Sequence, residues 1–164
     1  MLSSSNLLNM TLPKGSLRRI HHISLKVSDM RVSRHFYGGI LGLHELTGDA
    51  LPEPIRKLIE AEKIAIFYVP DGSLLNLFWE PDLPLNNTES HHGFTHAEIS
   101  NHLAFEINSQ LFEQAIEVLR ANQIKFDYGI DGPTGQAIYC YDPDRLLIEI
   151  RHDYLQPPKP TYLT

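Results

Sequence analysis

The chain has 164 residues, of which 42% are apolar and 21% charged, enough to fill a core and to exclude wholesale disorder. Its net charge is −6 and its 14 Lys and Arg form no run, which argues against a nucleic-acid or anionic-membrane partner. No apolar stretch approaches the roughly 20 residues needed to span a bilayer.

Residues 1–16 are polar, without the basic and then apolar order of a signal peptide. A flexible start is expected there, and a cytoplasmic location, which also suits the lone Cys140. Residues 20–27, Ile-His-His-Ile-Ser-Leu-Lys-Val, alternate as a strand with Ile23, Leu25 and Val27 on its apolar face. Val32, Phe36 and Ile40 then recur at helical spacing, with His35 and His44 carrying no specific signal. From Pro54 to Ala61 the residues allow a helix that need not be regular. A strand over 62–69, the turn Pro70-Asp71-Gly72 and another strand follow, with Leu77 and Trp79 read as core.

Residues 81–100 are rich in Pro, Asn and His and show no periodicity, so they read as a linker. His91, His92 and His96 are expected to be solvated there, unless a flap carries one over a site as an acid–base group. The strand–helix pattern then recurs. His102 to Ile107 alternate in the phase of 20–27, and Phe112, Ile116 and Leu119 repeat the helical spacing. A strand over 136–142 leads to Pro143-Asp144-Arg145-Leu146-Leu147-Ile148-Glu149-Ile150, which matches Pro70 to Leu77 without a gap. Cys140 reads as a buried small hydrophobe, and the Pro-rich tail 154–164 as extended. The expectation is an α+β fold: two repeated β-α-β-β-β modules, 17–80 and 101–153, forming a concave mixed sheet within one domain, 17–153.

Residues two apart in a strand share a face. The polar faces therefore carry His22, Ser24 and Lys26 in the first strand, and His102, Ala104 and Glu106 in the fifth. In the last strand Leu147, Glu149 and Arg151 point away from the helices, and Asn76 holds the place of Glu149 in the first module. Two imidazoles and one carboxylate aimed at one surface are a facial-triad ligand set for a divalent metal. His21 lies one residue out of step, so it is expected to face the helix layer or the edge in a structural role. Phe78, Tyr139 and Tyr141 share the open-face parity and read as pocket lining, with Lys26, Glu106 and Arg151 selecting a polar or anionic substrate or forming rim salt bridges.

Paired modules of this kind resemble the vicinal oxygen chelate superfamily, which includes glyoxalase I, extradiol dioxygenases and fosfomycin- and bleomycin-resistance proteins. The likeness rests on Ile20 to Met30, on His35 to Leu43, and on Asp142-Pro143-Asp144 with Glu149. It implies that His22, His102 and Glu149 bind a divalent metal that chelates two neighbouring oxygens of a small-molecule substrate. Fe2+ is favoured, with Mn2+, Zn2+, Ni2+ or Co2+ as alternatives.

Three departures narrow the reaction. Asn76 stands where glyoxalase I has a carboxylate, and an amide is no base. The stretch Ile130 to Gly135 lacks the further His of extradiol enzymes, although Tyr139 matches a Tyr near that motif. Arg145 replaces the usual Gly of the closing turn. The preferred expectation is extradiol-dioxygenase-like chemistry, with no acid–base residue assigned. The alternatives are a glyoxalase-type lyase, isomerase or epimerase, or a metal-free binding protein like those of bleomycin resistance. The resemblance also implies a homodimer, since such modules exchange between subunits and His22 of one chain can join His102 and Glu149 of another.

Overall fold

A computed structural model describes residues 12, 16, 17, 19–84, 101–129 and 135–153. Linker residues 85–100, with His91, His92 and His96, lie outside the described residues, as do 130–134 and the tail from 154. Strand β1 (His22–Val27) is followed by Asp29, whose carboxylate accepts from the backbone N–H of Arg31 and Val32 and so caps α1 (Met30–Arg34). Helix α1 runs on as a wider π-helical turn, His35–Ile40. Gly38 and Gly39 make that turn close: a Cβ on Gly39 would meet His35 Nδ1 at 2.8 Å, and one on Gly38 the Phe67 ring at 3.1 Å.

The short β2 (His44–Glu45) leads to α2 (Glu53–Glu60), then β3 (Ile64–Tyr68) and β4 (Leu74–Trp79). Helix α2 is regular, against the looser expectation for this stretch. Pro54 falls in its first turn, where the missing N–H has no intrahelical partner to lose. The second repeat is β5 (His102–Glu106), a 3-10 turn (Ser109–Leu111), α3 (Phe112–Ala121), β6 (Phe126–Tyr128), β7 (Gly135–Tyr141) and β8 (Leu147–Asp153).

Each repeat makes one four-stranded mixed sheet, in the orders β1-β4-β3-β2 and β5-β8-β7-β6. The first and last strands of each repeat run parallel, and the other pairs antiparallel. Register makes the repeat exact at the residue level. His22 lies opposite Leu74 and Ser24 opposite Asn76, while His102 lies opposite Leu147 and Ala104 opposite Glu149.

The helix-facing sides share one apolar core, with Val27, Phe36, Phe67, Leu75 and Leu77 from the first repeat and Phe112, Ile116, Ile138, Cys140 and Ile148 from the second. Two polar contacts tie the repeats together at its margin. The Tyr37 hydroxyl donates to Asp142 Oδ2 at 2.7 Å, and Asp144 Oδ1 accepts from Ser28 N at 3.0 Å and from Ser28 Oγ. Trp79 departs from its expected core position. It is 39% exposed at the last residue of β4, where the ring carries the Lys63 ammonium 3.4 Å above its face instead of packing under a helix.

Candidate metal centre

Glu149 is held by the parallel β5–β8 pair and by β7, whose Tyr139 lies directly opposite it. The residue is only 3% exposed, although it sits on the face away from the helices. A carboxylate this buried requires partners, and it has them on both oxygens. Oε2 is 2.8 Å from His102 Nε2, and Oε1 is 3.2 Å from Arg151 Nη1. The Tyr139 hydroxyl is also hydrogen-bonded to Glu149, and its ring meets the His102 ring edge-on at 6.2 Å. Burial, and then the charge and hydrogen bond of Glu149, raise the Tyr139 hydroxyl above its ordinary pKa of 10, so it stays protonated at neutral pH.

The donor chemistry fits a divalent ion. With metal–ligand bonds of about 2.1 Å, donors on adjacent corners of an octahedron stand about 3.0 Å apart. The 2.8 Å between His102 Nε2 and Glu149 Oε2 matches that spacing. In the first repeat the matching row holds Asn76, whose Oδ1 is buried and has no hydrogen-bond donor. An orphaned oxygen acceptor at the repeat position of Glu149 also fits a site built for a cation or its water.

The sequence-predicted residues separate into two groups. His102, Glu149, Tyr139 and Arg151 come together on the second sheet, and half-buried Tyr141 lies opposite Leu147 beside them. His22, Asn76, Lys26 and Phe78 are on the first sheet. Among the described residues no three His, Cys, Asp or Glu side chains form a group able to hold a metal, so His22 does not join the pair within one chain. His22 instead lies with its Nδ1 3.0 Å from His21 Nδ1, the rings perpendicular. His21 is exposed just ahead of β1, an edge strand of its sheet, which is the edge alternative of its expected place and not the helix layer.

Lys26 pairs with Glu80 at 3.4 Å in the open, a rim salt bridge worth little. Phe78 is 44% exposed, and Glu106 is exposed at the end of β5. A cleft of about 700 Å3 is lined by Ile23 and Leu74 of the first repeat and by Leu103, Ala104 and Glu106 of the second. Burial pushes the Cys140 thiol up to about 12, which removes it as a nucleophile. Sequence patterning missed Asp153, whose Oδ1 accepts from Arg151 Nη2 at 2.6 Å; the signal was the i, i+2, i+4 alternation of Glu149, Arg151 and Asp153 along β8.

Comparison with known proteins agrees with this architecture. The model of the Glyoxalase/Bleomycin resistance protein/Dioxygenase superfamily matches residues 19–150. The metallothiol transferase FosB of Staphylococcus saprophyticus is 29% identical over 153 residues, covering 88% of this chain and 87% of that protein. The crystal structure of a glyoxalase/dioxygenase from Nostoc punctiforme is 46% identical, covers 90% of this chain and 99% of its own, and superposes with a TM-score of 0.77. A mutant of the fosfomycin resistance protein FosX of Listeria monocytogenes, complexed with Mn(II) and 1S,2S-dihydroxypropylphosphonic acid, shares the fold at 21% identity. It covers 82% of this chain and 89% of that one, with a TM-score of 0.57. The chain belongs to the Glyoxalase/Bleomycin resistance protein/Dioxygenase superfamily.

Proposed function

We propose that this chain is a metal-dependent enzyme acting on a small molecule with two adjacent oxygens, with His102 and Glu149 of one copy and His22 of a second copy holding the ion. The observation that carries it is the buried Glu149 carboxylate with His102 Nε2 2.8 Å from its Oε2. Two features support a second copy. His22, Ser24 and Lys26 on β1 and His102, Ala104 and Glu106 on β5 are all exposed, so the described residues leave both ligand-bearing faces open. His22 also stands apart from the pair it would complete.

A divalent ion in this setting supplies Lewis acidity toward neighbouring oxygens, and O2 chemistry where it is Fe2+. The protein's own groups do the rest. His102 and Glu149 bring two neutral-to-anionic donors to one side, leaving the other open. Tyr139, kept protonated, donates to the Glu149 carboxylate and so orients it, and cannot serve as a base. Arg151 lies on the same face between Glu149 and Asp153, where its charge is met by both carboxylates and holds Glu149 in place.

Two His and one carboxylate with open positions suit Fe2+, so dioxygenase-type chemistry is the first reading. Thiol transfer is the second, favoured by the likeness to FosB along most of both chains. Anaerobic purification, metal analysis and O2 uptake on catechols test the first. Iron near one per chain with O2 consumption supports it. Stoichiometric Mn or Zn, no O2 uptake, and thiol addition to fosfomycin would replace it with the second.

A further inference from the structure

The two oxygens of Glu149 have different partners. Oε2 faces His102 Nε2 at 2.8 Å, while Oε1 accepts from Arg151 Nη1 at 3.2 Å. Arg151 is itself braced from its far side, with Nη2 2.6 Å and Nε 3.2 Å from Asp153 Oδ1. The three side chains leave one face of β8 at successive alternate positions, so the strand fixes their order. A carboxylate can meet a metal through one oxygen or through both. Through both, Oε1 would have to turn from the guanidinium toward the ion, breaking its charge-assisted bond with Arg151.

We infer that Arg151 is a positioning residue that keeps Glu149 a one-oxygen ligand, so that one further place around the ion stays open to substrate or water. Asp153 is the brace that holds Arg151 to this task. The inference rests on the proposal that His102 and Glu149 hold a divalent ion. It adds the reason this carboxylate, unlike an unrestrained one, leaves that place free.

The test uses the full chain with Mn2+ as the probe and reads water-proton relaxivity per bound ion beside affinity by calorimetry. Arg151→Met keeps the apolar stem and removes the fork; Arg151→Gln serves if the first variant does not fold. Three one-oxygen or one-nitrogen protein ligands on a six-coordinate ion leave about three water places, and a two-oxygen Glu149 leaves about two. Relaxivity per bound Mn2+ is therefore expected to fall by about a third in Arg151→Met, with affinity held or raised. Unchanged or higher relaxivity overturns the inference. Glu149→Gln separates the two failures. If it weakens Mn2+ binding at least about tenfold while Arg151→Met leaves relaxivity unaltered, only the inference falls. If it binds Mn2+ like the parent, the ion is elsewhere, and both the metal reading and this inference fall.

Discussion

Asn76 and Glu149 occupy the same row of the two repeats, opposite Ser24 and Ala104, yet one is a neutral amide and the other a charge. The Asn76 oxygen is buried without a donor, so a charge placed there has no protein partner. Asn76→Glu is therefore expected to act with opposite signs in two states. It destabilises the metal-free chain by the several kcal/mol typical of an unpaired buried charge, which lowers its thermal midpoint, and it tightens Mn2+ binding. Calorimetry and thermal unfolding with and without Mn2+ check both; unchanged metal affinity would place Asn76 away from the ion. At this scale the alternation of β1, β5 and β8 made the facing of His22, His102 and Glu149 legible. For His21 it left the helix layer and the edge both open, because that residue lies ahead of the first paired position of β1, and the structure takes the edge.

The turn between β7 and β8 gathers more buried polar chemistry than any sequence period announces. Asp142 Oδ1 accepts from the N–H of Asp144 and Leu146 while Oδ2 takes the Tyr37 hydroxyl, and the residue is 5% exposed. Burial outweighs those bonds and raises the Asp142 carboxyl above its ordinary 3.8. The folded state thus holds the proton longer than the unfolded state, and stability falls as pH rises from 3.8 to the raised value. Asp142→Asn removes that dependence, so its stability relative to the parent should rise with pH through the same window in urea titrations; parallel curves would contradict it. Arg145 in this turn has φ +66°, the left-handed conformation that Gly72 adopts at φ +85° in the first repeat. Arg145→Gly relieves about 1–2 kcal/mol of strain against about 0.5–1 kcal/mol of added unfolded-state entropy. A small rise in thermal midpoint, about 1–3 °C, is expected. Strands β1, β5 and β8 were legible from the period of two and α3 from the period of 3.6. In α1 the period misplaced Val32, which is 47% exposed while Met30 and Ser33 are buried, because the chain widens into the π-helical turn from His35. The regularity of α2 was hidden because Pro54 reads as a breaker until its place in the first turn is known.

For the molecule as a whole, the two repeats are joined by a shared core and by contacts between residues more than a hundred positions apart. Tyr37 and Asp142 carry no common pattern in the sequence, so this joint could not be read there. Tyr37→Phe leaves the buried Asp142 Oδ2 without its donor and should cost about 1–3 kcal/mol in chemical unfolding. Among the described residues the faces bearing His22 and His102 are open, and a second copy is proposed to cover them. Two inactive chains make that directly measurable. His22→Ala and Glu149→Gln, each alone, should lose Mn2+ binding by at least about tenfold. Unfolded together and refolded, they form mixed dimers in which one site takes His22 from one chain and His102 with Glu149 from the other. Random pairing gives half mixed dimers with one intact site of two, so about a quarter of the parent's Mn2+ sites should return. If mixing restores none, or if Glu149→Gln alone binds Mn2+ as the parent does, the shared metal centre is contradicted.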